Sequence, residues 1–130
     1  MIRVLIDENL PEYFAEGLNH IQHPLANHIE ITSIAREFNK GIKDEEWIAN
    51  WGLQSGIFIS QDIKIISSRN QALLLQTHKM GAFFLKPPKG SHYWEKVELI
   101  VKHWPQIVKL VKTNAVPYIY FITPRKIERG

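Results

Sequence analysis

Five short apolar runs, IRVLI (2–6), IEITSI (29–34), GIFIS (56–60), GAFFL (81–85) and YIYFIT (118–123), are spaced along the chain with helical patterns between them. Each has strand length and carries β-branched or aromatic side chains. Strands that alternate with helices predict a mostly parallel sheet, because a parallel neighbour needs a crossover and a helix supplies one. Such crossovers cover both faces of the sheet, and their right-handed preference places the loop after every strand along one edge. The expected fold class is therefore α/β, a three-layer α/β/α sandwich around a mostly parallel sheet of about five strands. A length of 130 residues suits one domain, 1–130, with a basic C-terminal tail at about 124–130.

The helices are predicted from apolar spacing. Leu10, Phe14 and Leu18 repeat every four residues and Pro11 suits a first turn, which predicts a helix from Pro11 to about His20. Residues 23–27 look like a loop, and 35–41 like a short link ended by Gly41. Trp47, Ile48 and Trp51 fall on one side of a helix over 44–53, whose acidic first turn suits the helix dipole. Residues 68–79 form another helix, with Ala72, Leu73 and Leu75 as its apolar positions. The longest pattern, 93–112, has a broad apolar face that includes Val101 and Trp104; Pro105 predicts a kink or a split into two helices.

Composition closes off several chemistries. The chain has no cysteine, so disulfides, a thiolate nucleophile and sulfur-ligated zinc are excluded, and cytoplasmic residence is the expectation. No apolar stretch is long enough to span a membrane, and acid placed directly after the first apolar run makes the start a poor signal peptide. No serine stands in a GxSxG turn, and GxGxxG and GxxxxGK[ST] are missing. His20, His23 and His28 crowd one region without HxH or HExxH spacing, which reads as a solvated loop cluster. The net charge of +3 is unevenly spread: residues 1–65 hold ten acids and five bases, residues 66–130 three acids and eleven bases. An acidic site beside a basic flank is one way to hold a polyanion.

The acids carry the sharpest chemical signal. Asp7 follows the first strand and Asp62 the third, so a parallel sheet would bring both to the edge where ligands bind in open α/β folds. Asp44, Glu45 and Glu46 open the helix after Gly41, and residues 44 and 45 cannot share one helical face, so Asp44 is favoured with Glu45 in reserve. Either strand-end aspartate can instead cap the helix that follows, and Asp7 can form a turn with Asn9. Converging carboxylates suit Mg²⁺ or Mn²⁺, which take oxygen ligands together with water and substrate phosphate. Two such ions about 4 Å apart can activate a water and neutralise a leaving oxygen. Ser60 and Gln61 are candidates to bind a phosphate oxygen or orient a water, and Lys64, Arg69, Lys86 and Lys89 to contact phosphate. Tyr93 and Trp94, next to the loop Lys86-Pro87-Pro88-Lys89-Gly90, can stack on a base or on a protein partner.

VLIDENLP, GIKDEEWI and FISQD, in this order and spacing, resemble the compact PIN-like nucleases, which include VapC-related toxins and small domains opening on DENLP. The resemblance covers roughly residues 3–86. It implies a three-layer α/β/α domain and a metal-dependent endoribonuclease cutting single-stranded or structured RNA. It also implies that Asp7, Asp44 and Asp62 are catalytic and metal-binding. Many relatives are the toxin of a toxin–antitoxin pair, held by a small antitoxin protein, and some form homodimers. Relatives carry a second acid two residues after the one matching Asp62; here that position is Lys64, which leaves Glu8 or Glu45 to compensate. The alternative is a catalytically inactive module that binds RNA or protein.

Overall fold

In the computed structural model, which describes residues 1–7, 10, 12–39, 41–62 and 64–130, the alternation of the sequence becomes one six-stranded sheet. The strands are β1 (Ile2–Ile6), β2 (Ile29–Ser33), β3 (Ile57–Ser60), β4 (Gly81–Leu85), β5 (Tyr118–Ile122) and β6 (Ile127–Arg129). The helices are α1 (Glu12–Gln22), α2 (Ile34–Glu37), α3 (Asp44–Gln54), α4 (Lys64–Ser67), α5 (Arg69–Thr77) and α6 (Tyr93–Thr113), with a short 3₁₀ turn at His23–Leu25. The strand order is β2-β1-β3-β4-β5-β6, parallel except for β6, which runs antiparallel to β5. No helix among the described residues is long and apolar enough to cross a membrane.

The two faces separate by strict alternation, because successive side chains of a strand point to opposite sides. Val4, Ile6, Ile57, Ile59, Phe83 and Leu85 join one core with α1 and α6. Leu5, Phe58, Ala82 and Phe84 join the other with Trp47, Ile48 and Trp51 of α3 and Leu75 of α5. Both cores are needed to bury these central strands, whose residues are apolar on either face. Gly81 sits where a side chain would collide with the Tyr118 ring: a Cβ there would come within 2.6 Å of it.

Polar side chains tie the layers together. Arg3 on β1 donates to Glu30 on β2 at 3.3 Å, to Glu37 on α2 at 2.6 Å and to Gln54 on α3 at 3.1 Å. The hydrogen bond with Glu37 raises the pKa of the guanidinium above its already high value. On the other face Gln22 is buried; its Nε2 donates to the Ile29 carbonyl at 2.9 Å, and its Oε1 accepts from Asn27 Nδ2 at 3.0 Å and Trp104 Nε1 at 2.9 Å. Asn19 pairs with both backbone groups of Ile31: its Nδ2 donates to the carbonyl at 2.7 Å and its Oδ1 accepts the N–H at 2.8 Å.

The architecture departs from the sequence reading at definite places. The basic tail is ordered in its second half as β6, held by the turn in which the Thr123 N–H donates to the Lys126 carbonyl at 2.9 Å and by pairing from Ile122↔Ile127 to Tyr120↔Arg129. Pro105 does not split α6 into two helices. Its ring and Val101, whose carbonyl loses the Pro105 N–H as partner, both lie on the exposed side, where water can replace the missing bond. Val101 therefore belongs to the solvent face, as does Leu73 of α5. The short helix α4, unforeseen, follows directly on the loop after β3.

Candidate functional site

The chain passes from β1 to its neighbour β2, then crosses back to lay β3 on the other side of β1. Between β1 and β3 the crossovers leave in opposite directions, which opens a crevice beyond the carboxyl ends of those two strands. Asp7 stands at the end of β1 and Asp62 two residues beyond β3. Register brings them close: Ile6 pairs with Ile59, and the Asp7 N–H donates to the Ile59 carbonyl at 3.1 Å.

Asp7, Asp44 and Asp62 line one pocket of about 240 Å³, whose other walls are Ile34, Ile42, Trp47 and Ile65. Asp7 is buried, only 6% exposed. The hydroxyl of Ser60, itself fully buried, donates to Asp7 Oδ2 and accepts the Asp62 N–H at 2.9 Å. One side chain thus links the loops after β1 and β3. Asp62 Oδ1 accepts the Lys64 N–H at 3.0 Å and so caps α4; its Oδ2 has no partner among the described residues. The cap and a ligand role are compatible, since they use different oxygens of one carboxylate.

Asp44 opens α3, where its Oδ1 accepts from Trp47 Nε1 at 3.0 Å and its Oδ2 from Gln71 Nε2 at 3.4 Å. Two neutral donors therefore fix its direction across the pocket. The spacing of Asp44 and Trp47, three apart on one helix, holds that contact in plain sight in the sequence; Gln71, from α5, carries no such signal. Glu45 is exposed and does not line the pocket. Glu8 lies outside the described residues.

The basic candidates divide into two groups. Lys86 and Lys89 line a second groove of about 380 Å³, together with Gln61 and the loop Pro87–Ser91. The Lys86 ammonium lies 4.2 Å from the centre of the Phe121 ring, a cation–π contact that steadies it. Lys64 and Arg69 are exposed at the starts of α4 and α5 and line neither cavity. Ser60, a sequence candidate to bind a phosphate oxygen or orient a water, has its hydroxyl taken up by Asp7 and Asp62.

No three histidine, aspartate or glutamate side chains among the described residues close to ligand distance. The donor set is nevertheless all oxygen, which is the preference of a hard cation, and Mg²⁺ is commonly held by one or two carboxylates with water completing its shell. Asp7 and Asp62, joined through Ser60, fit that smaller set. Replacing Ser60 with alanine is expected to weaken divalent-ion affinity by about 10–100-fold, as loss of a partner that orients a ligand commonly does. Calorimetric titration of Mn²⁺ into both proteins checks this, and equal affinities would assign Ser60 a packing role only.

Neither the curated proteins nor the solved structures contain a match to the chain. Residues 2–87, which take in β1 to β4 and all three pocket aspartates, match the family described as PIN like domain, and by that match the chain belongs to the PIN-like family.

Proposed function

We propose that this protein is a Mg²⁺- or Mn²⁺-dependent endoribonuclease that hydrolyses RNA phosphodiester bonds, and that it serves as the toxin of a toxin–antitoxin pair. The observation that carries the reading is the convergence of Asp7, Asp44 and Asp62 on one pocket at the β1/β3 crevice of a PIN-like domain. In this reading Asp7 and Asp62 hold the ion. Asp44, gripped by Trp47 and Gln71, receives a proton or orients a water from the opposite wall. A bound divalent ion supplies charge neutralisation of the phosphate and lowers the pKa of a coordinated water.

Ser60 keeps the Asp7 carboxylate directed and blocks its rotation. The apolar walls, Ile34, Ile42 and Ile65, limit the water that competes for the carboxylates. Lys86 and Lys89 attract the flanking phosphates, and Lys64 and Arg69, exposed at the starts of α4 and α5, add positive charge beside the pocket that draws the strand in. The toxin role rests on the resemblance of the three acidic motifs and names a small antitoxin protein as the partner.

A second reading, an inactive module that binds RNA or protein, draws on one observation: the described carboxylates stop short of a three-ligand set, and Lys64 stands where relatives carry an acid. Cleavage of a mixed RNA pool separates the two. The nuclease reading expects cleavage with Mg²⁺ or Mn²⁺, its loss on chelation and its return when the ion is restored. Full cleavage in excess chelator, or none with either ion, would overturn it.

A further inference from the structure

The two margins of the sheet are not alike. At β2 the outward backbone groups of Ile31 are already bonded to Asn19 of α1. At the other margin β6 pairs with β5 between the Thr123–Lys126 turn and Gly130, whose N–H donates to the Ile119 carbonyl at 2.8 Å. Antiparallel bonds alternate along a strand, so Lys126, Glu128 and Gly130 are the residues that turn their backbone groups inward to β5. Ile127 and Arg129 therefore turn theirs outward, and neither the N–H nor the carbonyl of either has a partner among the described residues.

This open edge is held in place by α6. The buried His103 donates through Nε2 to the Thr123 carbonyl at 2.8 Å, and Lys102 Nζ donates to the Pro124 carbonyl at 2.6 Å. The Thr123 hydroxyl closes the turn from inside: it accepts the Lys126 N–H at 3.1 Å and donates to the Lys126 carbonyl at 2.9 Å. An edge fixed in advance lowers the cost of adding a strand to it. The pattern of free groups then selects the occupant. Laid antiparallel about a two-fold axis at Glu128, two copies of β6 set Ile127 of each against Arg129 of the other and satisfy all the outward groups of both. The two Glu128 side chains become neighbours, and each is already neutralised by Lys126 of its own strand at 3.1 Å. On the opposite face the apolar stem of Arg129 runs beside Ile127 of the second copy. With the β2 margin taken, pairing through β6 closes at two copies.

We propose that β6 is an association edge, on which a second copy of this chain adds its own β6 antiparallel, centred on Glu128, so that the two sheets become one. The proposal is independent of the nuclease reading, and it goes beyond the homodimers that the resemblance names by giving the edge, the axis and the register. The axis passes through the sheet and reverses the strands of the second copy. The two aspartate pockets thus open on opposite edges, and neither completes the other. An edge of three residues buries far less than the roughly 1,200–2,000 Å² of a stable complex, so the association is weak and transient.

The chain has no cysteine, so Glu128→Cys supplies a single thiol at the axis. Residues facing each other in a non-hydrogen-bonded antiparallel pair lie about 4.5 Å apart at Cα, within reach of a disulfide. Under mild oxidation Glu128→Cys is expected to form a covalent dimer about tenfold faster or more than Arg125→Cys, an exposed position on the same hairpin but off the axis. Both side chains are exposed, so these variants keep the fold. Amide hydrogen exchange of the unaltered chain, followed from micromolar to millimolar concentration, is expected to slow at Ile127 and Arg129, with little change at Glu128 and Gly130, which are already bonded to β5. Arg129→Pro removes one outward donor without touching a bond to β5. It should abolish the concentration dependence at Ile127 and leave the circular dichroism spectrum as it was. Cross-linking of Glu128→Cys no faster than that of Arg125→Cys would overturn the proposal. So would exchange at Ile127 and Arg129 that ignores concentration, or a concentration dependence that survives in Arg129→Pro.

Discussion

Asp7→Asn is expected to cut RNA cleavage by more than about a hundredfold, a loss beyond the 10–100-fold typical of groups that only orient a ligand. The asparagine keeps the shape of the side chain and a carbonyl oxygen for the Ser60 hydroxyl, but removes the charge that attracts the cation. A circular dichroism spectrum equal to that of the wild type, together with weakened Mn²⁺ binding, would place the loss in the site and not in folding. Asp62→Asn should behave in the same way, since asparagine caps a helix as well as aspartate does and α4 is retained. Glu45→Gln, on an exposed residue outside the pocket lining, should leave the rate unchanged. Wild-type rates in Asp7→Asn would remove Asp7 from the chemistry.

The largest effect on stability is expected from Trp51→Ala, at about 3–5 kcal/mol. Trp51 is fully buried between α3 and the sheet, its ring meets Phe38 at 6.5 Å and lies under the Arg3 guanidinium at 5.3 Å. Its Nε1 also donates to the Ile57 carbonyl at 2.7 Å, so truncation empties a large volume and removes a buried hydrogen bond between α3 and the sheet. A domain of this size is stable by only about 5–15 kcal/mol, which puts the variant near the folding limit. Urea midpoints measure it, with Trp51→Phe as the milder change if the alanine variant does not fold. Trp94→Ala, on an exposed side chain, should stay within about 0.5 kcal/mol. A Trp51→Ala cost near that of Trp94→Ala would mean that the α3 face carries little of the stability.

Much of this architecture is visible in the residues because parallel strands are buried on both sides and leave near-continuous apolar runs. IRVLI and GAFFL can hardly be anything else, and an aspartate directly after such a run falls at the sheet edge by topology alone. The same logic is silent on Ile127–Arg129, a short strand with two charged residues that exists only because β5 and the turn at 123–126 present it with a partner. At the site, the three aspartates were legible from strand ends and motif resemblance. The groove was not. Gln61 has no strong preference of its own, and Ser60 reads equally well as a group facing ligand or one facing Asp7. Only three-dimensional register, with Ile6 beside Ile59, decides between these. Long side chains such as Lys64 and Arg69 could not be assigned to a cavity from their positions, because the rotation of a short helix turns a phosphate-facing residue to solvent.

The pairing of Asn19 with Ile31 has a consequence for how crowded copies of this protein behave. A strand at the margin of a sheet offers its backbone as a template on which another chain can polymerise. On β2 that template is already occupied: Asn19 takes both groups of Ile31, and Gln22 and Asn27 take the carbonyl and the N–H of Ile29. Three side-chain amides mimic the strand that is not there. An incoming chain would have to displace all of them before forming its first ladder bond, so sheet growth is closed on that side by side-chain amides, without a proline in the strand.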